Sequence, residues 1–318
     1  MKINHHETRV SKKPARPGGR LAVIIPSVRG LGAMPTIKSA LKLKGFDSVD
    51  IIVGGKSCGD KAFVSECRRL SPRIFTTEPF TSDNVPPGLA RNRCLDVLDE
   101  KFRDTKYVFF LDDDIVVPKD FGIRLVNFME NGKSVTAVMG RVVSAPRNYW
   151  SKSIDYSNFW WLQVEYDIPD LGWLGAGATM TTYKKIRGIR FDESLIINED
   201  IRFFKEVEEK NQGTLGICSE TSCLHFHGRA TMWHFIKYHF INGKNSRHKF
   251  HSSRINLKSI FLGFKHMLVY LKHAFLANRK YLLKRPHIFA GLLVGIFINQ
   301  LGILTGIYKS SKKSGTSP

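Results

Sequence analysis

Carboxylates are scarce in the last third of this sequence. From Gly216 to the end, Glu220 stands alone against sixteen Lys and Arg, so that stretch carries +15 of a formal net charge of +21. Such an imbalance excludes a chain of uniform character and places a compositional boundary between Gly216 and Ala230. Cysteine is also sparse. Five thiols, Cys58, Cys67, Cys94, Cys218 and Cys223, are few and odd in number for 318 residues, which argues against a secreted disulfide scaffold and fits a reducing compartment. The first twenty residues hold no apolar run, so no secretory signal is read there, and a basic tail with its active region facing the cytoplasm is expected. Low-complexity bias and internal repeats are missing too. With 42% hydrophobic, 11% aromatic and 24% charged residues, the composition excludes disorder as the main state.

What is present begins with Leu21-Ala-Val-Ile-Ile-Pro26, a continuous apolar run that suits a parallel strand buried on both faces. Ile37, Ala40, Leu41 and Leu43 predict a helix over 35–44 stopped by Gly45, and 49–53 reads as a second strand, which together make a crossover unit. A short strand at 74–75 and a helix over 87–102 follow. Tyr107-Val-Phe-Phe-Leu111 then predicts an apolar strand that delivers Asp112-Asp113-Asp114 at its carboxyl end, where ligand sites of such sheets lie. Mixed strand and helix patterns at 137–143, 172–183 and 198–209 complete this half.

Past Leu257 the pattern changes. Leu257, Ile260, Phe261, Phe264, Leu268, Leu271 and Phe275 recur at helical spacing, while Lys258, Lys265, Lys272 and Arg279 repeat every seventh residue on what reads as another face. No Lys, Arg, Asp or Glu occurs between Pro286 and Tyr308; as a helix, 288–308 would extend about 31 Å, enough to cross a bilayer. A buried helix of a soluble body and a re-entrant hairpin at Asn299-Gln300 are the alternatives. Gly291, Gly295, Gly302 and Gly306 fall within about 60° of one another and predict close helix packing. The basic stripe beside the apolar segment points to membrane lipid and not to nucleic acid as the partner of this region.

Three clusters carry candidate chemistry. On an extended segment Asp112 and Asp114 point the same way, so they can share a hard cation such as Mg²⁺ or Mn²⁺, with a diphosphate as its natural companion. The competing interpretation is a solvated acidic turn. Glu199-Asp200 opens an amphipathic helix, where carboxylates cap the helix and where one held rigidly can serve as a general base. In His225-Phe-His227, a strand would turn both imidazoles to one side, and either one can complete a metal site.

Taken together, Ile25-Pro26-Ser27, Pro87-Gly-Leu-Ala-Arg-Asn-Arg-Cys94, Phe110-Leu-Asp-Asp-Asp114 with Pro118, Gly175-Ala-Gly-Ala-Thr-Met180, Phe191-Asp-Glu before Glu199-Asp200, and His225 to Gly228 resemble family 2 glycosyltransferases over 21–231. The resemblance implies an A-type glycosyltransferase fold, an α/β sandwich with a mostly parallel sheet flanked by helices. It also implies a hexosyltransferase-like enzyme that moves a sugar from a UDP-, dTDP- or GDP-sugar, with inversion and with Mn²⁺ or Mg²⁺, to a glycan or a polyprenyl-linked acceptor at the cytoplasmic face of a membrane. Pro26, Ser27, Arg29, Asp60, Arg91, Asp112 and Asp113 would bind nucleotide and donor. Asp114, with Asp112 and one of His225 and His227, would hold the metal. Trp173, Gly175, Ala176 and Gly177 would border sugar and acceptor, and Asp200, next to Glu199, would be the general base. The turn Val53-Gly-Gly-Lys-Ser-Cys-Gly-Asp60 departs from the Asp-Asp-Gly-Ser-like turn of the family, which leaves Asp60 as a substitute base reader. The expected division is a tail over 1–20, a catalytic domain over 21–230 and membrane-associating helices over 231–318. Two other functions stay open, a sugar nucleotidyltransferase and a non-enzymatic basic membrane binder; Ser27 to Ala33 holds only Gly30 and Gly32, a poor phosphate loop for the former.

Overall fold

The computed structural model describes residues 18–80, 85–132, 134–195, 197–245 and 257–314. In chain order the elements are β1 (Arg20–Pro26), α1 (Met34–Ala40), β2 (Ser48–Gly54), α2 (Lys61–Leu70), β3 (Ile74–Thr76), α3 (Pro87–Lys101), β4 (Thr105–Leu111), β5 (Ile115–Val116), α4 (Phe121–Asn131), β6 (Val135–Ser144), α5 (Tyr149–Asn158), β7 (Ala178–Thr182), α6 (Tyr183–Ile186), α7 (Glu199–Asn211), β8 (Thr214–His225), α8 (Met232–Asn245), α9 (Leu257–Leu283) and α10 (Pro286–Ser314). The basic tail expected over 1–20 lies outside the described residues as far as 17.

All eight strands join one sheet in the order β3-β2-β1-β4-β7-β6-β8-β5. The first half is parallel, β1 pairing β2 and β4, and β2 pairing β3. Leu21 to Ile25 are wholly buried, which is why β1 is continuously apolar and does not alternate. The second half is antiparallel, with β7 between β4 and β6 and β5 against β8.

That order forces the sheet to curl. β4 and β5 stand four strand spacings apart in the ladder, about 19 Å if it were flat, yet only Asp112, Asp113 and Asp114 connect them. Four extended steps from Leu111 to Ile115 reach about 14 Å at most. The antiparallel half must therefore fold back until β5 and the end of β8 meet the end of β4. The three aspartates lie at the seam.

The chain divides into two compact units, the first containing residues up to Val142 together with Glu165–Phe226, the second Val143–Val164 with His227–Pro318. Residues 143–164, which the sequence reading assigns to the catalytic domain, thus group with the C-terminal helices. In the first unit Phe110 packs edge-on against Phe191, Phe203 and Phe204, and Phe191 stacks on Phe203 with centroids 4.0 Å apart. This aromatic cluster seats α7 beside β4 and so fixes where Glu199 and Asp200 emerge.

The second unit consists of α5, α8, α9 and α10. A Cβ added at Gly291 would sit 2.2 Å from Ser153 Oγ of α5, one at Gly295 2.9 Å from His239 of α8, and one at Gly302 2.2 Å from the Phe240 carbonyl oxygen. The glycine face is thus used for close packing within the chain. Lys265, Lys272 and, beyond a kink at Asn278, Arg279 are exposed on α9, but exposed Leu268 shares the side of Lys265 and Lys272, so the apolar and basic faces are not separate as the spacing suggests. Pro286–Thr305 is long and apolar enough to cross a membrane, by length and composition.

Candidate active site

The site is built at the carboxyl ends of β1 and β4 and at the start of α7. From β4, Asp113 turns back toward β1. Its Oδ2 accepts from Ser27 Oγ at 2.9 Å, Val28 N at 3.0 Å and Arg29 N at 3.2 Å, and its carbonyl accepts from Thr36 Oγ1 at 3.0 Å. Burial pushes this carboxyl above its ordinary value, while the Val28 amide and Ser27 hydroxyl oppose the rise. Of the residues read as donor-binding, Asp113 and Ser27 are thus engaged with each other and shape the loop that follows Pro26. Ser57, which the sequence reading does not single out, closes the same loop through Ser27 Oγ at 2.8 Å and Gly30 N at 2.8 Å. Gly55, at φ 118, passes so near that a Cβ would lie 2.5 Å from the Ser27 carbonyl oxygen, which accounts for a glycine in the departing turn. Asp60 caps α2 by accepting from the Ala62 and Phe63 amides at 2.9 and 3.3 Å, and it borders Gly30 of the loop.

Asp112 points the other way. Its Oδ1 accepts from Arg91 at 2.9 Å and its amide donates to the Gly177 carbonyl at 2.9 Å. A Cβ at Gly177 would stand 3.2 Å from Asp112 Oδ2, so the bare glycine backbone closes over this carboxylate. The side chain nevertheless keeps 37% of its exposure. Burial raises the Asp112 carboxyl, Arg91 counters that, and Asp114 adds to it.

Arg91, buried on α3, reaches in two directions, to Asp112 and to Glu199 Oε1 at 2.7 Å, with its guanidinium over the Phe191 ring. Desolvation alone would lower its pKa, but Asp112, Asp200 and Glu199 together raise it, so it remains a cation. Glu199 is buried as its partner. Desolvation and then Asp200 push its carboxyl up, against Arg91. Asp200 is more open, Oδ2 accepting from the Ala176 amide at 3.1 Å and Oδ1 from Ile201 N at 2.8 Å. A Cβ on Gly175 would come within 3.2 Å of Oδ2. The loop with half-buried Trp173, Gly175 and Gly177 and buried Ala176 therefore lies against both Asp112 and Asp200.

Asp114 ends the triplet. Arg29 approaches its Oδ2 at 3.3 Å and His225 Nε2 its Oδ1 at 3.2 Å. His225 arrives there because it pairs with Ile115 in the β5–β8 ladder. His227 does not share that placement. β8 ends at His225, so the two-residue alternation no longer applies, and His227 is occupied in the second unit, Nε2 with Ser144 Oγ at 2.6 Å and Nδ1 accepting from Arg229 N at 2.8 Å.

Whether these residues suit a divalent cation can be judged from their chemistry. Asp112 and Glu199 pair with Arg91 and Asp114 with Arg29, and together with Asp200 and His225 they offer a hard oxygen and imidazole donor set that suits a divalent cation. Among the described residues no three His, Cys, Asp or Glu side chains group as a ready-made metal cage. Asp114 with His225 is a pair that an ion could join only with further oxygens from a ligand or water.

No family model matches this sequence, and no curated protein does at significance. Solved structures do match. A mannosyltransferase from Pyrobaculum calidifontis, PcManGT, solved in complex with GDP-Man and Mn²⁺, superposes with a TM-score of 0.58 at 12% identity over 94% of this chain and 91% of its own. TarS of S. aureus gives a TM-score of 0.50 at 13% identity, covering 92% of this chain and 55% of that protein. The curled mixed sheet between helices is the A-type glycosyltransferase fold.

Proposed function

We propose that this chain is an inverting, metal-dependent glycosyltransferase of the family 2 type, which moves a sugar from a nucleoside-diphosphate donor to a hydroxyl of a glycan or lipid-linked acceptor. The observation that carries the proposal is the meeting of Asp112 with Asp200 beside Arg91, and of Asp112 with the Asp114–His225 pair, at the carboxyl end of β4. A structural neighbour solved with GDP-Man and Mn²⁺ supports a nucleotide-sugar donor and a divalent ion.

In this mechanism the loop after Pro26, fixed by Asp113 and Ser57, lines the nucleotide, and Arg29 stands at its edge beside Asp114. Asp114 and His225, with Asp112 to one side, would hold Mn²⁺ or Mg²⁺, which when bound supplies charge neutralisation at the leaving diphosphate. Asp200 takes the proton from the acceptor hydroxyl as that oxygen attacks the anomeric carbon opposite the leaving group, which inverts the centre. Glu199 is committed to Arg91 and acts by positioning α7. The 173–177 loop, laid over Asp112 and Asp200, borders the sugar.

The deciding experiment is a hydrolysis and transfer screen of the full chain against UDP-, dTDP- and GDP-sugars with Mn²⁺ or Mg²⁺ and with EDTA. One donor should be turned over only with metal, and Asp200→Asn should abolish that turnover. Formation of a nucleotide sugar from a sugar phosphate and a nucleoside triphosphate, or no reaction with any donor, would overturn the proposal.

A further inference from the structure

The second unit has two exposed faces that differ in kind. On α10, Ala290, Leu293, Val294, Phe297 and Leu301 fall within about 100° at 100° per residue, and Leu293, Val294, Phe297 and Leu301 are each between 40% and 60% exposed. The opposite face is packed, with Ile288, Leu292 and Ile296 buried and Gly291, Gly295 and Gly302 against α5 and α8. On α9, ahead of a kink at Asn278, Lys265, Leu268, Lys272 and Leu276 share one side within about 80°, all exposed, and Arg279 and Leu283 beyond the kink are exposed as well. Charged stems alternating with leucines suit the headgroup level of a leaflet, where each Lys or Arg lays its methylenes on apolar matter and keeps its charge in water. From Met232 to Ser314 the sequence holds no carboxylate, so the complementary surface is anionic.

We infer that the second unit is a monotopic anchor: it docks on one leaflet of an anionic membrane, sinking the Ala290 to Leu301 stripe of α10 sideways into the acyl region, without crossing. Apolar length alone would let α10 span. Its packing opposes that, because a transverse α10 would carry α5 and α8 with it, and the exposed His234 and Lys237 of α8 would enter hydrocarbon. Of Pro286–Thr305, 39% is buried inside the protein, so α10 is not a helix open to lipid all round. The inference does not depend on the glycosyl-transfer proposal, because membrane docking is read without any donor.

The test uses the full chain and vesicles of phosphatidylcholine with or without phosphatidylglycerol. Flotation should rise about tenfold or more with the anionic lipid and fall with salt. Leu293→Glu combined with Phe297→Glu should cut flotation about tenfold while the far-ultraviolet spectrum and melting profile stay unchanged. All five native cysteines are buried, so Ser314→Cys gives a clean topological probe. An impermeant maleimide added outside should label Ser314→Cys fully in vesicle-bound protein. Protection of that thiol, indifference to lipid charge, or a lipid-free dimer that hides the stripe and does not float would each overturn the inference.

Discussion

Arg91 joins Asp112 to Glu199, donating to the first at 2.9 Å and to the second at 2.7 Å, so one buried guanidinium ties the end of the central strand to the start of α7. Those carboxylates lie 87 positions apart in the sequence. Removing the cation leaves Glu199 buried without a counter-charge, a situation that costs about 3 kcal/mol or more. Arg91→Met should therefore destabilise the chain strongly in urea unfolding, and Arg91→Lys should recover only part of the loss, since one ammonium cannot serve both partners. Arg91→Met with Glu199→Gln should be less damaging than the sum of the single changes; strict additivity would show that the pair is not coupled.

Neighbouring aspartates should separate into a structural and a functional one. Asp113→Ala removes the acceptor for Ser27, Val28 and Arg29, and the donors left behind in a partly buried turn should cost about 1–3 kcal/mol. Asp114→Asn keeps an oxygen that can still accept from Arg29 or His225 and alters a partly exposed ion pair, so it should change melting little. Metal-dependent donor binding should instead fall by at least about tenfold. Calorimetry of donor binding with Mn²⁺ beside thermal melts of both variants checks the split, which fails if Asp114→Asn is the less stable protein.

How much of this was legible beforehand follows from which signals are local. The apolar run 21–26 and the strand ahead of Asp112 are visible because burial on both faces leaves an unbroken stretch of Val, Ile and Phe. The acids, Arg91 and His225 are visible as residue types in an order. Their partners are not. Nothing near Asp113 announces that it bonds the β1 loop, and nothing near Ser57 marks it as a clasp, because both contacts cross the sheet. The curl that brings β5 beside the end of β4 follows only once the strand order is known, since pairing is a long-range property. His227 shows the limit of a periodicity argument, which holds only while the strand continues. The interleaving of Leu268 with Lys265 and Lys272 needed the packed face of α9 to be located first.

Asp200→Asn should separate chemistry from binding. The amide oxygen of Asn can still accept from Ala176 N, so the 175–177 loop keeps its anchor while the proton acceptor is gone. Turnover should fall by about 10²–10⁴, with donor affinity within about threefold of the parent. Stopped-flow donor binding alongside product formation tests this, and an equal loss in both would assign Asp200 to binding.

In the second unit, His239 lies wholly buried on α8, its Nε2 2.9 Å from Ser157 Oγ and its ring against Phe235. Burial, with a smaller contribution from Arg229, pushes its pKa down to about 3 from the ordinary 6.5. The folded state therefore stays neutral there while the unfolded chain takes up a proton. Below about pH 6.5 the unfolded state binds more protons, so this residue's contribution to stability is full above that pH and declines by about 1.4 kcal/mol per pH unit as pH falls toward 3. Carboxylates elsewhere also titrate in that range, so the measurable quantity is a difference. His239→Gln cannot take up the proton, and between pH 6 and pH 4.5 it should lose about 2 kcal/mol less than the parent chain, whatever its stability at neutral pH. Unfolding free energies of both proteins across that interval decide the matter: parallel pH dependences would mean that His239 is protonated in the fold, and the close seat of Gly295 against its ring would then have to accommodate a charge.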